Sequence, residues 1–137
     1  MPALLVTLLS ASLPASASTL EGVWRSQGWG YIYHLRGADW QAFEVTSTTC
    51  VPGVRAELQR HGTPGHEATF RARDGGIFHI DASADKDRKR IVTPAGLTTI
   101  PIERLPAFPQ TCLTPTPDTP LDNFEVFTRT FAEHYIA

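Results

Sequence analysis

Residues 54–73 read VRAELQRHGTPGHEATFRAR. Val54, Ala56 and Leu58 alternate with Arg55, Glu57 and Gln59; beyond a Gly-Thr-Pro-Gly turn, Ala68, Phe70 and Ala72 alternate with Glu67, Thr69, Arg71 and Arg73. A period of two sends successive side chains to opposite faces of a strand, so each arm has one apolar and one wet face. A lone ribbon of this kind is marginal in water, and its apolar side calls for further strands.

Those strands are found on both sides. Turn signals at Gly37-Ala38-Asp39, Pro52-Gly53, Asp74-Gly75-Gly76, Asp85-Lys86-Asp87 and Pro94-Ala95-Gly96 leave intervals too short for helices. Strands are expected near residues 22–26, 29–36, 39–49, 54–61, 66–74, 76–81, 88–93 and 97–104. Trp29, Tyr31, Tyr33 and Leu35 share one face opposite Gly30, Ile32, His34 and Arg36. The run from Trp40 onward, rich in Thr and Phe, reads as a strand covered on both sides. The expected fold is mainly β: a small antiparallel up-and-down β-barrel of about eight strands over residues 20–105, lipocalin-like or avidin-like, with Trp24 of the Gly22-Val23-Trp24 opening plugging one end. A sandwich is the alternative. Pro101 in the last strand lacks a ladder donor, which marks an edge or a bulge and predicts an incomplete barrel.

The flanks differ in composition. Residues 3–13 are apolar and end in Pro14 and Ala15-Ser16-Ala17, a small-x-small cleavage pattern, so residues 1–17 read as a signal peptide and the protein as exported, periplasmic or extracellular. No Lys or Arg precedes the run, and a buried first element is the other reading. Residues 106–120 hold five prolines and form a semi-rigid linker. In residues 121–137, Leu121, Phe124, Phe127, Phe131 and Tyr135 follow steps of three and four along one helix face, with Asp122 as the expected N-cap. The absence of a glycine or proline exit leads to the expectation of a longer protein continuing from this helix.

The chain has 137 residues, 42% hydrophobic and 19% charged, which suits one globular domain, and its net charge of -2 offers no basic footprint for nucleic acid. Apart from the N-terminus no stretch suits a membrane. Cys50 and Cys112 are the only cysteines. In an oxidising compartment an even count reads as one disulfide, with two buried thiols as the alternative, and the absence of a C-x-x-C motif argues against a redox dithiol or zinc knuckle.

Chemistry-bearing patterns are sparse. His61 and His66 flank a turn without a third ligand, so no metal and no cofactor is expected. Asp81, Asp85 and Asp87 lack calcium-loop spacing, and Lys86, Arg88, Lys89 and Arg90 read as a solvated turn. Ser83 sits among small residues, but no Gly-x-Ser-x-Gly elbow exists and no catalytic residue is assigned. Trp24, Trp29, Tyr31, Tyr33, Trp40 and Phe70 are candidates to line a lumen, either filling it or contacting a small ligand.

Two stretches carry a resemblance. NFEVF through TFAEHY, from Asn123 to Tyr135, resembles the helix that opens the peptidase region in exported bacterial serine peptidases related to the tail-specific (C-terminal-processing) and tricorn proteases. GWGYIYHLRG and FEVTSTTC, between Gly28 and Cys50, are similar to the β-rich segment preceding that helix. The resemblance implies a non-catalytic N-terminal accessory domain, whose partners are a downstream peptidase domain and its polypeptide substrate. Phe124, Phe127, Phe131 and Tyr135 would form the face that docks on the peptidase, and the family's catalytic groups would lie C-terminal to this helix. The alternative is a free-standing secreted lipocalin-like barrel that binds a small apolar ligand or a protein.

Overall fold

The structure, a computed structural model, describes residues 19–60, 64–93 and 98–136. Eight strands, β1 (Gly22–Ser26), β2 (Tyr31–Arg36), β3 (Asp39–Val45), β4 (Cys50–Leu58), β5 (His66–Ala72), β6 (Ile77–Asp81), β7 (Arg88–Val92) and β8 (Thr99–Leu105), pair in chain order and close into a barrel. A short 3-10 turn, Gln110–Cys112, and one helix, α1 (Pro120–His134), follow. The expected signal peptide lies outside the described residues.

The barrel is complete. β8 pairs with β7 from Arg88↔Glu103 to Val92↔Thr99 and with β1 from Val23↔Leu105 to Ser26↔Ile102. Pro101 leaves no gap because of where its missing donor points. Its carbonyl accepts from Gln27 N–H at 2.9 Å, beyond the end of β1, and the N–H and C=O of one strand residue point the same way. The proline therefore spares the β7 ladder.

Strand boundaries depart from expectation at the third and fourth strands. The strand expected at 39–49 ends at Val45, because Thr46 Oγ1 accepts from the backbone N–H of Thr48 (3.3 Å) and Thr49 (3.0 Å) and folds the Thr-Ser-Thr-Thr run into a turn. Pro52-Gly53, expected to be a turn, lies inside β4. There the register steps from Gln41↔Arg55 to Phe43↔Pro52, which places one extra residue in β4. The Gln41 side-chain amide bridges this bulge by donating to the carbonyls of Ala42 (2.7 Å) and Gly53 (3.0 Å). Val54 is exposed there rather than sharing the buried face of Ala56.

Inward positions supply the core. Trp24, Tyr33, Leu35, Trp40, Ala56, Ala68, Phe70, Ala72, Ile80, Ile91 and Ile102 form one buried cluster with Leu20. Small residues on β4 and β5 face the rings of β2, β3 and β6, the large-against-small pairing that fills a narrow barrel.

Candidate functional site

One end of the barrel is a plug. Trp24 is fully buried, and its indole N–H donates to the Leu20 carbonyl at 2.8 Å. The Arg104 guanidinium lies 4.2 Å from the centre of the Trp24 ring and donates to the carbonyls of Thr19, Glu21 and Lys86, and to Asp87. A cation over an indole face, with its remaining donors engaged, seals this end. Arg104 went unmarked in the sequence reading. Its place on the same face of β8 as Ile100 and Ile102, two residues apart in turn, is the signal that could have found it.

Beside the plug Lys89 is buried, its Nζ 2.7 Å from Glu67 Oε2 and 2.8 Å from the Ser83 carbonyl. This corrects the reading of Lys89 as part of a solvated turn. The register shift between His66 and Ala68 lets Glu67 reach it. Ser83 Oγ accepts from the backbone N–H of Asp85, a turn-forming role.

The interior is occupied by rings. Trp40 lies 5.0 Å from Tyr33, 5.1 Å from Phe70 and 5.4 Å from Phe78, and Phe70 lies 5.2 Å from Phe78, all contact distances between ring centroids. Burial, and then Tyr31, holds the Tyr33 phenol far above its ordinary range. Of the six lumen candidates Trp24, Tyr33, Trp40 and Phe70 are core and Tyr31 packs against it. Trp29 is the exception. It precedes β2 and is 49% exposed, because Gly28 and Gly30 take positive φ (89° and 71°) and turn the chain out of the strand.

The proline-rich segment is held against the barrel. Phe108 packs on His34 (5.0 Å) and Phe43 (5.2 Å). Cys112 is bonded to Cys50, as the oxidised reading expected. Thr116 N–H donates to the Cys50 carbonyl (2.9 Å) and Thr116 Oγ1 accepts from Cys50 N–H (2.9 Å). The tie thus extends past Pro115, further along the linker than the cysteine alone would carry it.

α1 rests on the end opposite the plug, where a meander places its β1–β2 and β3–β4 connections. It starts at Pro120, with Thr119 as N-cap accepting from Asp122 N–H at 3.2 Å, rather than with Asp122 as the cap. Proline at the first helical position needs no donor, so the start moves to meet it. At its other end Glu133 accepts from Ser47 through N–H (2.8 Å) and Oγ, and His134 Nε2–H donates to the Val45 carbonyl (2.9 Å). The Ser47 hydrogen bond holds the Glu133 carboxyl below its usual range. The half-buried residues of α1 are Asp122, Val126, Thr130 and His134, four apart, which defines the face turned to the barrel.

The aromatic stripe lies elsewhere. Phe124 is 65% exposed, Phe127 66%, Phe131 51% and Tyr135 71%, and Leu121 and Ile136 are exposed with them. Phe127, Phe131 and Tyr135 stack in series, 6.3 and 6.2 Å apart. Between this stripe and the barrel runs a trough of about 370 Å³ lined by Glu44, Val51, Val126, Phe127, Phe131 and Tyr135 among others.

One polar cluster stands apart on β5 to β7. His66 and His79 stack at 4.3 Å, His79 Nδ1 shares a hydrogen bond with Thr69 Oγ1 (2.9 Å), and Asp81 pairs with Arg90 at 2.6 Å. Burial, and then His66, lowers the His79 pKa. Face-to-face imidazoles do not converge on one ion, and among the described residues no group of three His, Cys, Asp or Glu side chains is placed to hold a metal. His61 lies outside the described residues. Among those described, no helix is long and apolar enough to cross a membrane.

Fold and site together define an eight-stranded closed antiparallel barrel with a filled interior and an aromatic helix on its rim. Compared with protein-family models, curated proteins and solved structures, the chain matches none.

Proposed function

We propose that this chain is the non-catalytic N-terminal accessory domain of an exported serine peptidase related to the tail-specific and tricorn proteases, with the aromatic stripe of α1 as the surface on which the peptidase region packs. The observation that carries this reading is that α1 meets the barrel with one face and leaves the aromatic one bare. Its four aromatic side chains, each roughly 200 Å² when fully exposed, present on the order of 500 Å², a patch of the size that marks interaction sites. The filled barrel supports a scaffold role over small-ligand binding, and the Cys50–Cys112 disulfide is compatible with export.

The reading is tested by the coding sequence downstream of the Ala137 codon. An open frame containing a nucleophilic serine is expected, and a stop codon directly after Ala137 would count heavily against it. The isolated chain should hydrolyse no peptide, and turnover that survives Ser83→Ala would expose an overlooked nucleophile. A second reading, a free-standing secreted barrel that binds a protein partner, is favoured by the contacts of Glu133 and His134, which make α1 part of the barrel unit.

A further inference from the structure

We propose that the trough between α1 and the barrel receives an apolar segment of the partner carrying an arginine or lysine, whose cationic head pairs with Glu44. The inference rests on the accessory-domain reading for the partner's identity and adds the chemistry by which the partner is recognised. Three observations support it. Glu44 lies in the trough wall, is exposed, and forms no ion pair among the described residues. The opposite wall is the series of Phe127, Phe131 and Tyr135 rings, whose faces suit both the alkyl stem and the charge of a long basic side chain. The helix is net acidic: α1 and the residues leading into it carry Asp118, Asp122, Glu125 and Glu133 against Arg129, while Glu44 is the acidic group that lines the trough itself. A partner with a basic rim is attracted to such a surface, whereas an acidic one, or an anionic membrane, is repelled.

Burial and then the charge of Glu44 raise the Tyr31 phenol, with Tyr135 adding to the effect, which places Tyr31 within electrostatic reach of both groups. A guanidinium entering there would meet a carboxylate and aromatic faces without displacing any existing ion pair.

The probes are N-acetyl-leucyl-arginine amide and N-acetyl-leucyl-glutamate amide, titrated into the whole chain and followed by two-dimensional NMR. The arginyl probe is expected to shift the amides of Glu44, Val51, Phe127 and Phe131 and to bind about fivefold more tightly than the glutamyl probe, the range of a solvent-exposed ion pair. Glu44→Gln should abolish that preference, and Phe131→Ala should weaken both probes while leaving the barrel amides in place. Equal binding of the two probes, shifts confined to other surfaces, or binding of the chain to phosphatidylglycerol vesicles at the trough would overturn the proposal. Failure of the peptidase reading is detected in the downstream coding sequence, so the two failures are distinguishable.

Discussion

Trp24 is the residue on which the plugged end depends, and it contributes in two separable ways. Trp24→Phe keeps a ring under Arg104 but removes the donor to Leu20, and a loss of about 1–2 kcal/mol in urea unfolding is expected from the orphaned carbonyl and the reduced volume. The disulfide acts on the unfolded chain: with a sequence separation of 62, opening it in a Cys50→Ser, Cys112→Ser double variant should cost about 4 kcal/mol in the chain-entropy model, read from the same unfolding curves. His79 sets a pH dependence. Its folded-state pKa is lowered from 6.5, so between that value and the lowered one the unfolded chain binds more protons than the folded chain. Stability is therefore complete above about pH 6.5 and declines as pH falls below it, a slope that His79→Gln should reduce. His34, lowered by burial and then by Arg36, adds in the same direction. At this scale the cysteine pair and the plugging Trp24 were legible, because parity of cysteines and a strand-opening tryptophan are local facts. Arg104 and Lys89 were not, since their value comes from neighbours remote in sequence. Trp29 was misread because alternation does not register that two glycines turn the chain out of the strand.

α1 is joined to the barrel by a small number of contacts, which makes it a sensitive element. A Cβ at Gly30 would come within 2.5 Å of His134 Nε2, and Gly30 sits at a φ of 71°. Gly30→Ala should therefore loosen the last turn of α1, with faster hydrogen exchange at Phe131 and Tyr135, while the β-ladder amides keep their protection. Phe127→Asp and Phe131→Asp, by contrast, alter exposed side chains and should each change stability by no more than about 0.5 kcal/mol in thermal or urea unfolding. The amphipathic spacing of α1 was plain in its sequence, but the face it turns to the barrel was not. Docking falls to Val126, Thr130 and His134 because hydrogen bonds to Ser47 and Val45 fix the helix there. The third and fourth strands were misplaced for a related reason: hydroxyl groups made the turn at Thr46, and a bulge absorbed Pro52-Gly53.

At the scale of the molecule, an eight-stranded up-and-down barrel was legible in the regular spacing of alternating segments, but its full closure was not: Pro101 pointed to a gap, whereas β8 pairs with both β7 and β1. What alternation could not convey was how the interior is shared between large rings and small residues, which decides whether the barrel holds a ligand or its own side chains. The central claim is that the working surface is the outer face of α1 and that the lumen is core. Titration with the uncharged apolar fluorophore Nile red tests it most directly, comparing the native chain with the Phe127→Asp, Phe131→Asp double variant. The prediction is dye binding to the native chain that the double variant loses, with no quenching of the buried tryptophans Trp24 and Trp40. Undiminished binding in the double variant, accompanied by quenching of those tryptophans, would place the apolar site in the barrel and contradict the account.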